Sequence, residues 1–117
     1  NKVCLILKFM QLDLAIVLTT VSDDEQAEAL ADILVQSNYI ACINILPNIK
    51  SKYIWKGELK NTQESLLIIK TKKQFFHPIK EIIKRNHKYE IPEIICIDIS
   101  NSSKDYGNWL INNLTGD

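Results

Sequence analysis

Residues 14–20, LAIVLTT, form a nearly continuous apolar run of strand-forming residues bounded by Ser22 and two aspartates. This predicts a buried first strand. Ser22 precedes Glu25 at the spacing of a capping box, so a helix is expected to start there. Its inward stripe would be Ala27, Leu30, Ala31 and Leu34, with Asn38 where it can end. The segment from Ile40 to Trp55 is strand-like but holds Pro47, which cannot donate to a ladder and belongs on an edge strand or at a bulge. Lys56-Gly57 supplies a tight turn, and residues 58–71 return as a central strand. A second helix is expected over Gln74–His87, with Phe75, Phe76, Ile79, Ile82 and Ile83 inward and Pro78 tolerated in the first turn. A fourth strand, EIICIDI, follows Pro92, and a last short helix carries Tyr106, Trp109, Leu110 and Leu114 on one face.

The order β-α-β-β-α-β plus a terminal helix predicts an α+β, ferredoxin-like antiparallel sheet with strand order 4-1-3-2. The prolines agree, because Pro47 and Pro92 fall on the two predicted edges. Ile94–Ile97 carries no Lys, Pro or Gly to blunt its edge, and Asp98 is its one charge. A closed ring is therefore expected, with this edge meeting the long second strand of a neighbouring copy.

Composition narrows the function. The chain has 117 residues, enough for one domain, with 14 basic and 14 acidic side chains. Zero formal charge argues against a dedicated nucleic-acid or anionic-membrane binder. No stretch reaches the roughly 20 apolar residues of a membrane span. The opening Val3–Leu7 run is broken by Lys8, Gln11 and Asp13 and does not read as a secretory signal. Cys4, Cys42 and Cys96 are an odd set without CxxC spacing, so a reducing, cytosolic compartment is expected.

Metal ligands are the first candidate chemistry, since thiolate and imidazole suit copper or zinc. In the predicted order Cys42 and Cys96 lie on opposite edges, about 14 Å apart, and cannot share an ion within one subunit. They read more simply as small buried hydrophobes, His77 as a surface residue, and His87 as a cation at a helix C-terminus. Basic residues between Lys70 and Lys88 face an acidic group from Asp23 to Asp32, a pattern the helix dipoles favour without any ligand. Only three glycines are present, and none forms a phosphate loop. No nucleophile, base and acid set suggests an enzyme.

What remains distinctive is a series of blocks: VLTT, the segment ADILVQSNYIACINILP, YIWKGE at 53–58, IIKTK at 68–72, HKYEIPEI at 87–94 and DYGNWL at 105–110. In this order, over about residues 14–115, the chain closely resembles the CutA divalent-cation tolerance family. The resemblance implies a compact homotrimer built by intersubunit strand pairing, related in architecture to the PII-type signalling trimers. It implies a role in response to, and tolerance of, copper and other divalent ions, without a required cofactor. Carried over by position, Tyr53, Trp55, Glu58, Lys70, Glu93 and Tyr106 would line the cleft between subunits, with Lys70 paired to Glu93 or Glu58. His87 and Cys42 remain as metal-ligand candidates. Thr19 and Asn86 stand where copper-binding relatives carry Cys and His, so copper binding should be weak at most. The cleft would suit a small anion or metal complex. A PII-like regulatory or scaffold trimer, binding a metabolite or protein in these clefts, is the alternative. Residues 1–13 are expected to form an extension ahead of the domain at 14–117.

Overall fold

A computed structural model describes residues 13–114 of the chain. Cys4 and, apart from Asp13, the expected extension lie outside the described residues. The elements are β1 (Leu14–Val21), α1 (Asp24–Gln36), β2 (Cys42–Trp55), β3 (Glu58–Lys72), a 3₁₀ turn (Lys73–Phe75), α2 (Phe76–Arg85), β4 (Ile95–Asp98) and α3 (Lys104–Asn112). The sheet order is β2-β3-β1-β4 with every pairing antiparallel, as the sequence predicts.

Strand alternation divides the sheet into two faces. Ala15, Val17 and Thr19 lie opposite Thr71, Ile69 and Leu67, and this first face is almost completely buried. Ala27, Leu30, Ala31 and Leu34 of α1 and Phe75, Ile79, Ile82 and Ile83 beside or on α2 pack into the same core. The inward stripes read from the sequence are thus the observed ones.

Several boundaries differ. Helix α1 is capped by Asp23 rather than Ser22: the Asp23 carboxylate accepts from the Gln26 backbone N–H at 2.8 Å. A carboxylate suits the positive end of a helix better than a neutral hydroxyl, and Gln26 takes the third helical position expected of Glu25. The Ser22 hydroxyl instead contacts the Gln26 side-chain amide. Asn38, with φ of 70°, takes the left-handed position after the helix. Helix α2 is shorter than expected, because Lys73–Phe75 tightens into the 3₁₀ turn before it. Pro47 lies in a bulge between Leu46 and Ile49, next to Asn48 at φ 60°. β4 is only four residues long, shorter than the expected EIICIDI, and it follows Pro92 as expected.

The second face carries Ile16, Leu18, Leu66 and Ile68 in the middle, with Leu46 toward one edge and Ile95 and Ile97 toward the other. Helix α3 covers one end of it, where a Cβ built on Gly107 would stand 3.9 Å from Leu14 Cδ1 and only 2.6 Å from Ser102 Oγ. Leu14 and Leu110 are each 1% exposed there. The predicted stripe on this helix is split, since Tyr106 and Trp109 remain open to solvent. Leu46, Ile95 and Ile97 are 42%, 47% and 45% exposed, so the second face is open along both edges in the single chain, and Ile16, Leu18, Leu66 and Ile68 between them are partly exposed.

Candidate functional site

The hairpin arm places the aromatic residues. Beyond the bulge, β2 runs on paired with β3, bringing Tyr53 opposite Lys60 and Trp55 opposite Glu58. Lys56 and Gly57 make the turn with φ of 51° and 81°, the two positive values of a type I′ hairpin. Lys56 Nζ stands 5.7 Å from the centre of the Trp55 ring. Lys60 pairs with Glu58 at 3.2 Å, an exposed contact worth little energy but enough to offset the local charge.

Residues 86–94 form a strap from α2 back to β4. His87 holds it down: Nε2 lies 2.7 Å from the Thr20 carbonyl and Nδ1 lies 3.0 Å from the Tyr89 backbone nitrogen. A carbonyl only accepts and an N–H only donates, so this geometry requires neutral imidazole protonated at Nε2. His87 therefore lies beyond the helix as an internal clamp, not as the helix-terminal cation expected from sequence. Tyr89 follows it and donates from its phenol to Glu64 Oε2 at 2.9 Å. Glu64 is 6% exposed, and among the described residues Tyr89 is its one hydrogen-bond donor. Burial pushes the Tyr89 phenol above its ordinary range, and the hydrogen bond to Glu64 and its negative charge push in the same direction.

Arm and strap enclose a groove of about 690 Å³ whose lining includes Tyr53, Trp55, Tyr89, Glu64 and Glu93. That volume falls within the range of small-molecule sites. Three of the expected cleft residues, Tyr53, Trp55 and Glu93, meet here, with Glu58 across the ladder from Trp55. Glu64 and Tyr89 were not singled out from the sequence. A signal was available for both: an acid at the border of the apolar run LLIIK, and a tyrosine inside the HKYEIPEI block.

Lys70 and Tyr106 lie elsewhere. Lys70 Nζ donates to the Tyr106 hydroxyl at 3.1 Å and stands 5.4 Å from that ring's centre. Tyr106 in turn stacks on Trp109 at 5.8 Å. Lys70 stands six positions beyond Glu64, roughly 20 Å along β3. The expected pairing of Lys70 with Glu93 or Glu58 is not made within the subunit. The six cleft residues thus form two clusters on one sheet face, an acidic and aromatic one at the arm and a lysine-tyrosine one under α3.

The metal-ligand candidates are also apart. Cys42 pairs across the ladder with Lys70, while His87 sits over Thr20 at the other end of β1. Cys96 lies on β4 at the opposite sheet edge from Cys42, as expected, and is held above its ordinary thiol range mainly by burial, with Asp98 adding to the shift. Among the described residues no three His, Cys, Asp or Glu side chains converge in a way that could hold a metal ion. No helix among them is long and apolar enough to cross a membrane.

Residues 15–113 match the sequence model of the family described as CutA1 divalent ion tolerance protein. The divalent-cation tolerance protein CutA of Thermus thermophilus is 40% identical over 98 residues, covering 84% of this chain and 95% of that protein. The chloroplastic CutA of Arabidopsis thaliana is 40% identical over 97 residues, 83% of this chain. The chain spans about half that plant protein's length, 53%. Among solved structures, CutA1 from Oryza sativa superposes with a TM-score of 0.85 at 35% identity, covering 89% of this chain and 95% of that one. The divalent cation tolerance protein of Thermus thermophilus gives 0.83 at 38% identity, covering 87% and 99%. A matched family model across nearly the whole domain, relatives well above 30% identity and the same fold agree: the chain belongs to the CutA1 divalent ion tolerance family.

Proposed function

We propose that the chain acts as a non-catalytic, self-associating protein of divalent-ion response, working as a homotrimer in a reducing compartment such as the cytosol and binding copper or another divalent ion weakly. The uncovered second sheet face carries this reading. Leu46 at one edge and Ile95 and Ile97 at the other flank the partly exposed Ile16, Leu18, Leu66 and Ile68, and with Tyr106 and Trp109 these flanking residues are between 40% and 47% exposed. Such a patch on a small domain favours a partner. Among the described residues both outer strands have an edge suited to further pairing: there β4 is bonded only to β1, and the arm of β2 only to β3. Joining the β4 edge of one copy to the β2 arm of the next would close a ring and bring the lysine-tyrosine cluster of one copy toward the acidic cluster of another. Cys42 and Cys96, on opposite edges and joined in no disulfide among the described residues, support the reducing compartment.

Weak metal binding follows from the clamp. His87 would have to release Thr20 or Tyr89 to present a nitrogen, and further ligands such as Cys42 would have to come from another copy. Titration calorimetry with Cu(I), Cu(II) and Zn(II) under reducing conditions tests this part. A saturable, weak heat abolished by His87→Ala is expected, and no saturable heat with any of the three removes metal binding from the reading.

The groove favours a second reading, a PII-like regulatory trimer that responds to a small molecule. Its volume and its buried polar floor beside aromatic rings support that role.

A further inference from the structure

Glu64 and Lys70 are ions of opposite sign on one sheet face, and among the described residues neither has a counter-ion. Strand alternation puts Glu64, Leu66, Ile68 and Lys70 of β3 on the second face, with Glu64 at the foot of the arm and Lys70 under α3. Glu64 is 6% exposed on the groove floor, and its donor is the neutral Tyr89 phenol. The charges lining the groove balance in number but not in depth: Lys52, Lys88, Glu90 and Glu93 are exposed, and Lys60 is held by Glu58. Lys70 has the converse surroundings. Its ammonium donates to the Tyr106 hydroxyl at 3.1 Å and lies over that ring, a neutral partner in both contacts. Ile16 stands opposite it and Ile97 one strand further on, so a copy that closes this apolar face takes the ammonium out of water. Burying either ion alone is costly, whereas two ions buried in contact offset much of each other's loss of hydration. Their own chain cannot join them, because roughly 20 Å of β3 lies between.

We propose that Lys70 of one copy, carried on Tyr106, enters the groove between arm and strap of the next copy and pairs with its Glu64, so that each groove is completed by a neighbour. The walls suit this occupant: the Tyr53, Trp55 and Tyr89 rings offer faces both to a lysine stem and to its charge. The inference rests on the ring of the first reading and names the ion pair that joins its copies. It puts Glu64 in the place of Glu58 or Glu93, the partners of Lys70 expected from the sequence.

The melting temperature of the oligomer is measured for Glu64→Gln, Lys70→Met and the double variant at physiological ionic strength. Glu64→Gln removes the charge but keeps an oxygen for the Tyr89 hydroxyl. Within one chain the two sites lie well beyond the screening length of about 8 Å, so their effects should add. In contact across copies they should not. Each single variant should melt lower than the unmodified protein, and the double variant no lower than the worse single. If Glu64→Gln does not fold, carbodiimide cross-linking of the unmodified oligomer, assembled from equal parts of isotope-labelled and unlabelled chain, reads the same contact. An amide joining Glu64 of one label to Lys70 of the other is expected. Melting shifts that simply add, or Lys70 linked to a different acid, overturn the pairing, while an oligomeric mass leaves the ring standing. A monomeric mass for the unmodified protein overturns the ring and the pairing with it.

Discussion

The Tyr89 phenol donates to the Glu64 carboxylate across 2.9 Å, although the two residues stand 25 positions apart in the chain. This bond ties the strap after α2 to the middle of β3 and sets the depth of the groove. Replacing Tyr89 by Phe removes the donor and leaves a buried acid unpaired, which should cost about 1–3 kcal/mol in urea unfolding. The phenol also has a pH signature, set first by its burial and then by this bond and the Glu64 charge. The folded state holds the phenol above its ordinary value of 10.0, so the stability linked to it is fully present below that pH. It should be lost as pH rises further and the unfolded phenol ionises first. Unfolding midpoints measured between neutral pH and the alkaline limit should fall more steeply for the unmodified protein than for Tyr89→Phe. Parallel curves would show that neither burial nor the bond holds the phenol above its ordinary range.

His87 holds the other half of the strap. His87→Ala leaves the Thr20 carbonyl and the Tyr89 N–H without their partners, so about 1–3 kcal/mol of stability should be lost in metal-free buffer. Denaturant unfolding with a chelator present measures it. An unchanged midpoint would mean that the ring is held there by nothing more than packing.

Lys56 adopts φ of 51° at the hairpin turn, a conformation that Asn tolerates far better than Lys. Lys56→Asn should therefore stabilise the arm by about 0.5–1 kcal/mol, read as a higher denaturant midpoint. A lower midpoint would assign a larger share to the Lys56–Trp55 contact than its exposure suggests.

Much of this fold was legible in the sequence because its signals are local. The stripe Ala27, Leu30, Ala31 and Leu34 declares its buried face through periodicity alone, and the run Leu66 to Ile69, apolar on both faces, declares a central strand. Pro47 marks an edge because a missing donor is tolerated only there, and the bulge sits at that residue. The Asp23 cap was missed because Ser22 and Asp23 are adjacent and both able to cap; the backbone conformation of each decides between them. Tyr106 and Trp109, exposed in the structure, share their predicted helix face with the buried Leu110, because helical spacing cannot distinguish a face covered by its own sheet from one left for another copy. The Tyr89–Glu64 bond was hidden for a different reason. It links segments far apart in sequence, and nothing in either segment fixes the register that brings them together.

Ile97 lies on the uncovered face of the shortest strand and is 45% exposed in the single chain. Placing a charge there by Ile97→Lys should cost the isolated fold little and should disfavour an interface that buries it. The expected outcome in sedimentation velocity is a shift from the oligomer to a folded monomer. An oligomer of unchanged size would move the contact to another surface.

The most direct measurement is the mass of the unmodified protein in solution by size-exclusion chromatography with light scattering at micromolar concentration. Copies closing over the second sheet face should give about three times the 13.5 kDa of the chain, unchanged on dilution. A stable 13.5 kDa species with folded circular dichroism would contradict the account.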